Sequence, residues 1–203
     1  MRGNDGDRLS SLKSSNGLWP REMAELKQIG VRLLSTSPSW QPRLLRILRS
    51  ASPNGRVALV GVGHPLRGDD YVGSYIAKSL IEQVCTHDVI LFDVEDSIES
   101  MISKVVACDP RDVVVVDACE MNRRPGEVDL LPLAETHYPF FTTHGIPLRL
   151  LADKFLQKAE TWILAIQPAQ MGVTDRLSPE ALTAAASVSS FIATALKEEE
   201  SNG

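Results

Sequence analysis

A chain of 203 residues, 43% hydrophobic and 23% charged, has the composition of a globular protein and the length of one domain with an appendage. Its net charge is −5 and unevenly spread: residues 1–54 hold nine Lys/Arg against four Asp/Glu, and residues 55–203 hold twelve against twenty-two. The acidic body argues against non-specific nucleic-acid binding. No apolar stretch reaches the roughly 18 residues that span a bilayer, and the N-terminus lacks the apolar segment of a secretory signal. Cys85, Cys108 and Cys119 are too sparse for a zinc pair and fit reduced thiols in a cytoplasmic protein.

Residues 1–54 read as an N-terminal extension. Its first 18 residues are polar and serine-rich, as in a disordered segment. Residues 21–34 and 41–50 have the spacing of short amphipathic helices, and Met23 is an internal candidate start. Ser52-Pro53-Asn54-Gly55 marks a turn before the main domain, residues 55–203. There Arg56 to Val62 predicts a buried strand, and Val72, Ile76 and Leu80 predict a helix with Asp69 or Asp70 as its cap. Val89 to Asp93 predicts a second strand and Ser97 to Ala107 a second helix. Val113 to Asp117, four valines long, predicts a central strand buried on both faces. Glu127 to Leu133 follows a Pro-Gly turn as an edge strand. A helix over Ile146 to Leu156 and a strand over Trp162 to Ile166 come next. Ser178-Pro179-Glu180 then opens a last helix, whose acidic end from Glu198 frays. This alternation predicts an α/β fold: a three-layer α/β/α sandwich around a mainly parallel sheet.

Gly61-x-Gly63 after the first strand invites a dinucleotide reading, but Leu66 replaces the third glycine, and the Asp69-Asp70 carboxylates would face the phosphates. Serine-hydrolase elbow, zincin helix and P-loop are all missing from the sequence. Asp69 is expected to cap the helix, which leaves Asp70 for the crevice at the strand ends. Asp117, ending an apolar strand, serves either a cation or the backbone of a neighbouring loop. His144, before the third helix, has a structural reading as well. With the two carboxylates it makes a mixed nitrogen and oxygen set suited to zinc, nickel or ferrous iron. His64 is the reserve candidate; His87 and His137 read as surface residues.

The ordered motifs resemble those of the [NiFe]-hydrogenase maturation endopeptidases. Gly61-x-Gly63-x-x-Leu66-x-x-Asp69-Asp70-x-x-Gly73 is similar to the family's opening motif. Val116-Asp117-Ala118 with Pro125-Gly126-Glu127, Thr142-Thr143-His144 and Ile166-Gln167-Pro168 resemble its later elements, and Asp93 and Glu99 stand in the place of its second loop. The likeness covers about residues 56–197 and leans toward the hydrogenase-3 type. It implies removal of a C-terminal extension from the large-subunit precursor after nickel insertion. It also implies that Asp70, Asp117 and His144 contact nickel, which arrives with the substrate, with Asp70 as candidate base; no organic cofactor is implied. A non-proteolytic chaperone or checkpoint that binds the same precursor is the alternative. His64 and Tyr71 depart from the family's usual Asn and Gly.

Overall fold

The computed structural model describes residues 40–51, 55–84, 86–94, 98–135 and 159–202. The start expected to be disordered, the helices expected over 21–34 and 146–156, Met23, His137 and His144 lie outside the described residues.

Among the described residues, five strands form the sheet: β1 (Arg56–Val62), β2 (Val89–Val94), β3 (Pro110–Ala118), β4 (Val128–Pro132) and β5 (Glu160–Ile166). Their spatial order is β2-β1-β3-β5-β4. The first four positions in that order are parallel, and β4 closes one edge antiparallel to β5. The helices are α1 (Trp40–Arg49), α2 (Val72–Gln83), α3 (Ile98–Ala107) and α4 (Pro179–Asn202).

Alternation along the strands supplies two cores. Val57 and Leu59 of β1, Val114 and Val116 of β3 and Leu164 of β5 face α1, α2 and α4. Ala58, Val60, Val113, Val115 and Ile163 point the other way, toward Val105 of α3. Both faces are covered, as parallel strands require, and the three-layer α/β/α sandwich expected from the sequence is the one found.

Strand β3 is longer than its valine run. Its polar start is held in the sheet because Asp112, although buried, accepts from Arg111 Nε at 2.7 Å and from Trp162 Nε1 at 3.2 Å. Helix α4 opens as predicted: the Ser178 hydroxyl accepts from Ala181 N at 3.1 Å. It then continues to Asn202, so the acidic end keeps a helical backbone instead of fraying at Glu198.

Helix α1 lies on the extension side of the expected boundary at residue 54, yet its apolar stripe is in the core. Leu44 and Leu48 are fully buried. Trp40 stacks edge-on against Phe191 of α4 with ring centroids 5.2 Å apart, and Arg43 Nη1 donates to the Leu130 carbonyl of β4 at 3.0 Å. Leu48→Ala should therefore destabilise the protein by about 2–5 kcal/mol, as a core truncation does. An unchanged urea midpoint would show that α1 adds nothing to the fold.

Candidate active site

The parallel strands end together. Gly61 of β1 lies level with Asp93 of β2 and with Val116 of β3, so the β1–α2 loop and the end of β3 meet at one rim of the sheet. Strand ends of this kind are where open α/β sheets hold their ligands. A short 3₁₀ turn, Gly68–Tyr71, carries Asp69 and Asp70 into α2 and packs against β3. Two close approaches fix that turn. Gly63, at φ +143°, lies so near the Asp70 carbonyl that a Cβ would collide with it. Gly73 brings the first turn of α2 onto the sheet, where a Cβ would strike the carbonyls of Val116 and Val62.

The buried aspartates sort by their partners. Asp112 is satisfied as described above. Asp129 accepts from Arg123 Nη2 at 2.5 Å and from Leu130 N at 2.9 Å. Asp69 accepts four hydrogen bonds: Ser178 N at 2.6 Å on Oδ1, and Ala169 N at 2.8 Å, Gln170 N at 3.0 Å and the Ser178 hydroxyl at 2.8 Å on Oδ2. It makes no cap to α2, contrary to the sequence expectation, because the 3₁₀ turn aims its carboxylate at the β5–α4 loop instead. By orienting Ser178 it supports the cap of α4.

Asp117 differs from all of these. It is 1% exposed, and neither carboxylate oxygen has a hydrogen-bond partner among the described residues. Burial, and then the charge of Asp70, push its carboxyl well above the ordinary value of 3.8; the Ala118 amide, the smallest of the three influences, acts in the opposite direction. Asp70 is itself fully buried, and its Oδ2 accepts from His64 N at 2.8 Å. Two buried acidic side chains thus face each other electrostatically at the rim. A cation relieves both the desolvation and the repulsion, so the pair is chemically suited to hold one.

His64 helps to shape this loop. Its Nδ1 accepts from Leu66 N at 3.1 Å while its amide serves Asp70. His87 is exposed, as expected. Asp93 accepts from the Ser74 hydroxyl at 2.5 Å and pairs with Lys78 at 3.5 Å, which makes it a tether of α2. Tyr71 stacks edge-on with Tyr75 and accepts from Lys78 Nζ at 3.3 Å. Among the described residues, no three His, Cys, Asp or Glu side chains form a metal-binding group. His144, the third member of the expected set, is outside them.

Two residues of the rim were assigned no role from sequence. The buried Gln167 side chain accepts from Met121 N at 2.7 Å and Arg123 N at 3.2 Å, and donates to Glu120 Oε1 at 2.9 Å and the Pro168 carbonyl at 3.3 Å. It clamps the segment that leaves Asp117 to the end of β5. A glutamine between an apolar strand and a proline was the available signal. Cys119 sits beside Asp117, and burial, followed by that neighbour's charge, pushes its thiol well above its ordinary value. It remains protonated, which disfavours a thiolate-nucleophile reading.

Comparison with known proteins places this arrangement. No family model matches the sequence. The crystal structure of a [NiFe] hydrogenase maturation protease, HycI from Thermococcus kodakarensis, superposes with a TM-score of 0.68 at 30% identity, covering 76% of this chain and 99% of that one. The solution structure of the endopeptidase HycI from Escherichia coli gives 0.60 at 26% identity, covering 66% and 86%. The hydrogenase 3 maturation protease of E. coli strain K12 is 29% identical over 116 residues, 56% of this chain and 74% of its own length. The chain belongs to the [NiFe] hydrogenase maturation protease family, and with it to the peptidases among the hydrolases.

Proposed function

We propose that this protein removes the C-terminal extension of a [NiFe]-hydrogenase large-subunit precursor once nickel has been inserted, and that the nickel is part of the substrate. The observation that carries this reading is Asp117: a buried carboxylate without hydrogen-bond partners among the described residues, repelled by Asp70, at the strand ends of a maturation-protease fold. Such a group is costly to the folded protein unless something cationic meets it.

Asp70 and Asp117, with His144 from the Thr142-Thr143-His144 motif, are the residues assigned to the nickel. Because burial and the charge of Asp70 raise the hold of Asp117 on its proton, gripping the metal is coupled to release of that proton. A precursor without nickel offers no cation to displace that proton, which gives the protease a way to reject it. Bound nickel supplies Lewis-acid polarisation of the scissile carbonyl. Asp70 is the candidate base for the attacking water, oriented by the His64 amide. The partner is the precursor alone, with no nucleic acid. No helix among the described residues is long and apolar enough to cross a membrane. The cytoplasm is the proposed compartment, where Cys108 and Cys119, both free, would stay reduced. Membership in a peptidase family weighs against the checkpoint alternative.

The test is intact-mass measurement of a purified cognate precursor incubated with the protein, with and without nickel. Loss of one defined C-terminal peptide only in the nickel-loaded sample is expected. Stable binding without any mass change would overturn the protease reading in favour of the checkpoint.

A further inference from the structure

Six large hydrophobic side chains are exposed among the described residues. Tyr75, which stacks on Tyr71, and Ile81 and Leu182 lie on helices and need no explanation. The other three share the rim. Leu66, in the β1–α2 loop, is 56% exposed; Met171 and Val173, in the β5–α4 loop, are 44% and 98% exposed.

The two loops are joined. Thr174 N donates to the Leu66 carbonyl at 3.1 Å, and Gly68 N donates to the Thr174 carbonyl at 2.9 Å, a parallel bridge across Arg67 and Thr174. Asp69 N adds a bond to the Gln170 carbonyl at 3.1 Å, and the Asp69 carboxylate binds Ala169, Gln170 and Ser178. The apolar side chains therefore project from a doubly tied platform. An aliphatic side chain as exposed as Val173, on backbone held this firmly, gains nothing within its own chain.

We propose that Leu66, Met171 and Val173 form a docking platform that grips an apolar surface of the large-subunit precursor beside its scissile segment. The proposal rests on the protease reading for the identity of the occupant. Continuity supplies the argument: Leu66 precedes Asp70 by four residues on one loop, so the platform borders the carboxylates to which a chain would be delivered. Asp69 ties both halves of the platform to the turn that holds Asp70. Docking on the platform and presentation to the carboxylates are thus mechanically one event.

The experiment compares the native protein with Val173→Asp and Met171→Asp, using nickel-loaded precursor. Binding is followed by titration calorimetry, cleavage by intact mass and folding by thermal melting. Each variant should melt as the native protein does, bind precursor at least about tenfold more weakly and raise KM more than it lowers kcat. Native-like affinity and KM in both variants would overturn the platform, as would native-like affinity together with loss of self-association, which would assign the patch to a second copy. The two readings fail separately. A native protein that binds but does not cut, with binding weakened in the variants, removes the protease reading and keeps the platform. A native protein that cuts, with variants that cut equally well at low precursor concentration, does the reverse.

Discussion

Asp117→Asn should process no precursor and yet melt at a higher temperature than the native protein at neutral pH. Activity is lost because an amide cannot give up a proton to become an anionic ligand. Stability rises because the native carboxyl is buried without hydrogen-bond partners among the described residues and is repelled by Asp70, whereas an amide N–H can donate toward that same neighbour. The gain should be about 1–3 kcal/mol, the usual cost of an unsatisfied buried polar group. The pH dependence follows from the direction of the shift. With its folded pKa raised above 3.8, Asp117 binds its proton more tightly in the folded than in the unfolded protein. Native stability therefore falls as pH climbs from the ordinary carboxylate range through the raised value. The gap between variant and native protein should be smallest in acid and widen toward neutral pH. Thermal melts across that range, with a processing assay at neutral pH, check both parts. A variant that cuts normally, or that is less stable at every pH, would remove Asp117 from the site.

Asp69→Ala should have the opposite signature, losing stability and activity together. The substitution leaves the amides of Ala169, Gln170 and Ser178 without their acceptor. Roughly 3–5 kcal/mol is expected, at the upper end of single-residue effects. For a chain of this length that is a fall in melting temperature on the order of 10 °C. Processing should fail because the turn that aims Asp70 is no longer tied down. Asp69→Asn retains one acceptor oxygen and should lie between the two. A fully stable Asp69→Ala that is nonetheless inactive would place Asp69 in the chemistry and not in the scaffold.

These two adjacent aspartates show what the sequence disclosed. Its punctuation and periodicity gave the strand from Arg56 to Val62 with its observed ends, the buried Val72, Ile76 and Leu80, and the Ser178 cap, because each depends on neighbours in the chain. It assigned Asp69 to a cap of α2 that the structure does not show. It could not find what Asp69 binds, since the partners lie about a hundred residues away. The same distance hid the Gln167 clamp, whose partners belong to the segment after β3. The start of β3 was missed because a polar Asp112 reads as a loop until Trp162 and Arg111 are seen to satisfy it. Helix α1 was recognised as amphipathic, but the surface its stripe would cover belongs to α4 and β4, far along the chain. The third expected ligand, His144, carries the weight of its motif alone.

Strand β5 enters the sheet between β3 and β4 although it follows both in the chain. This sets an order on the protein's own synthesis. A growing chain that has emerged only as far as residue 135 holds β4 without the strand it pairs with, and Asp69 without any of its four donors. Loops of about a hundred residues are slow to close, so these contacts come late in folding. The final third of the chain thus acts as a completion signal. Asp69 gains its donors only after residues 169–178 have been made, and a chain broken off before residue 169 carries the Asp69-Asp70 turn without the scaffold that ties it down.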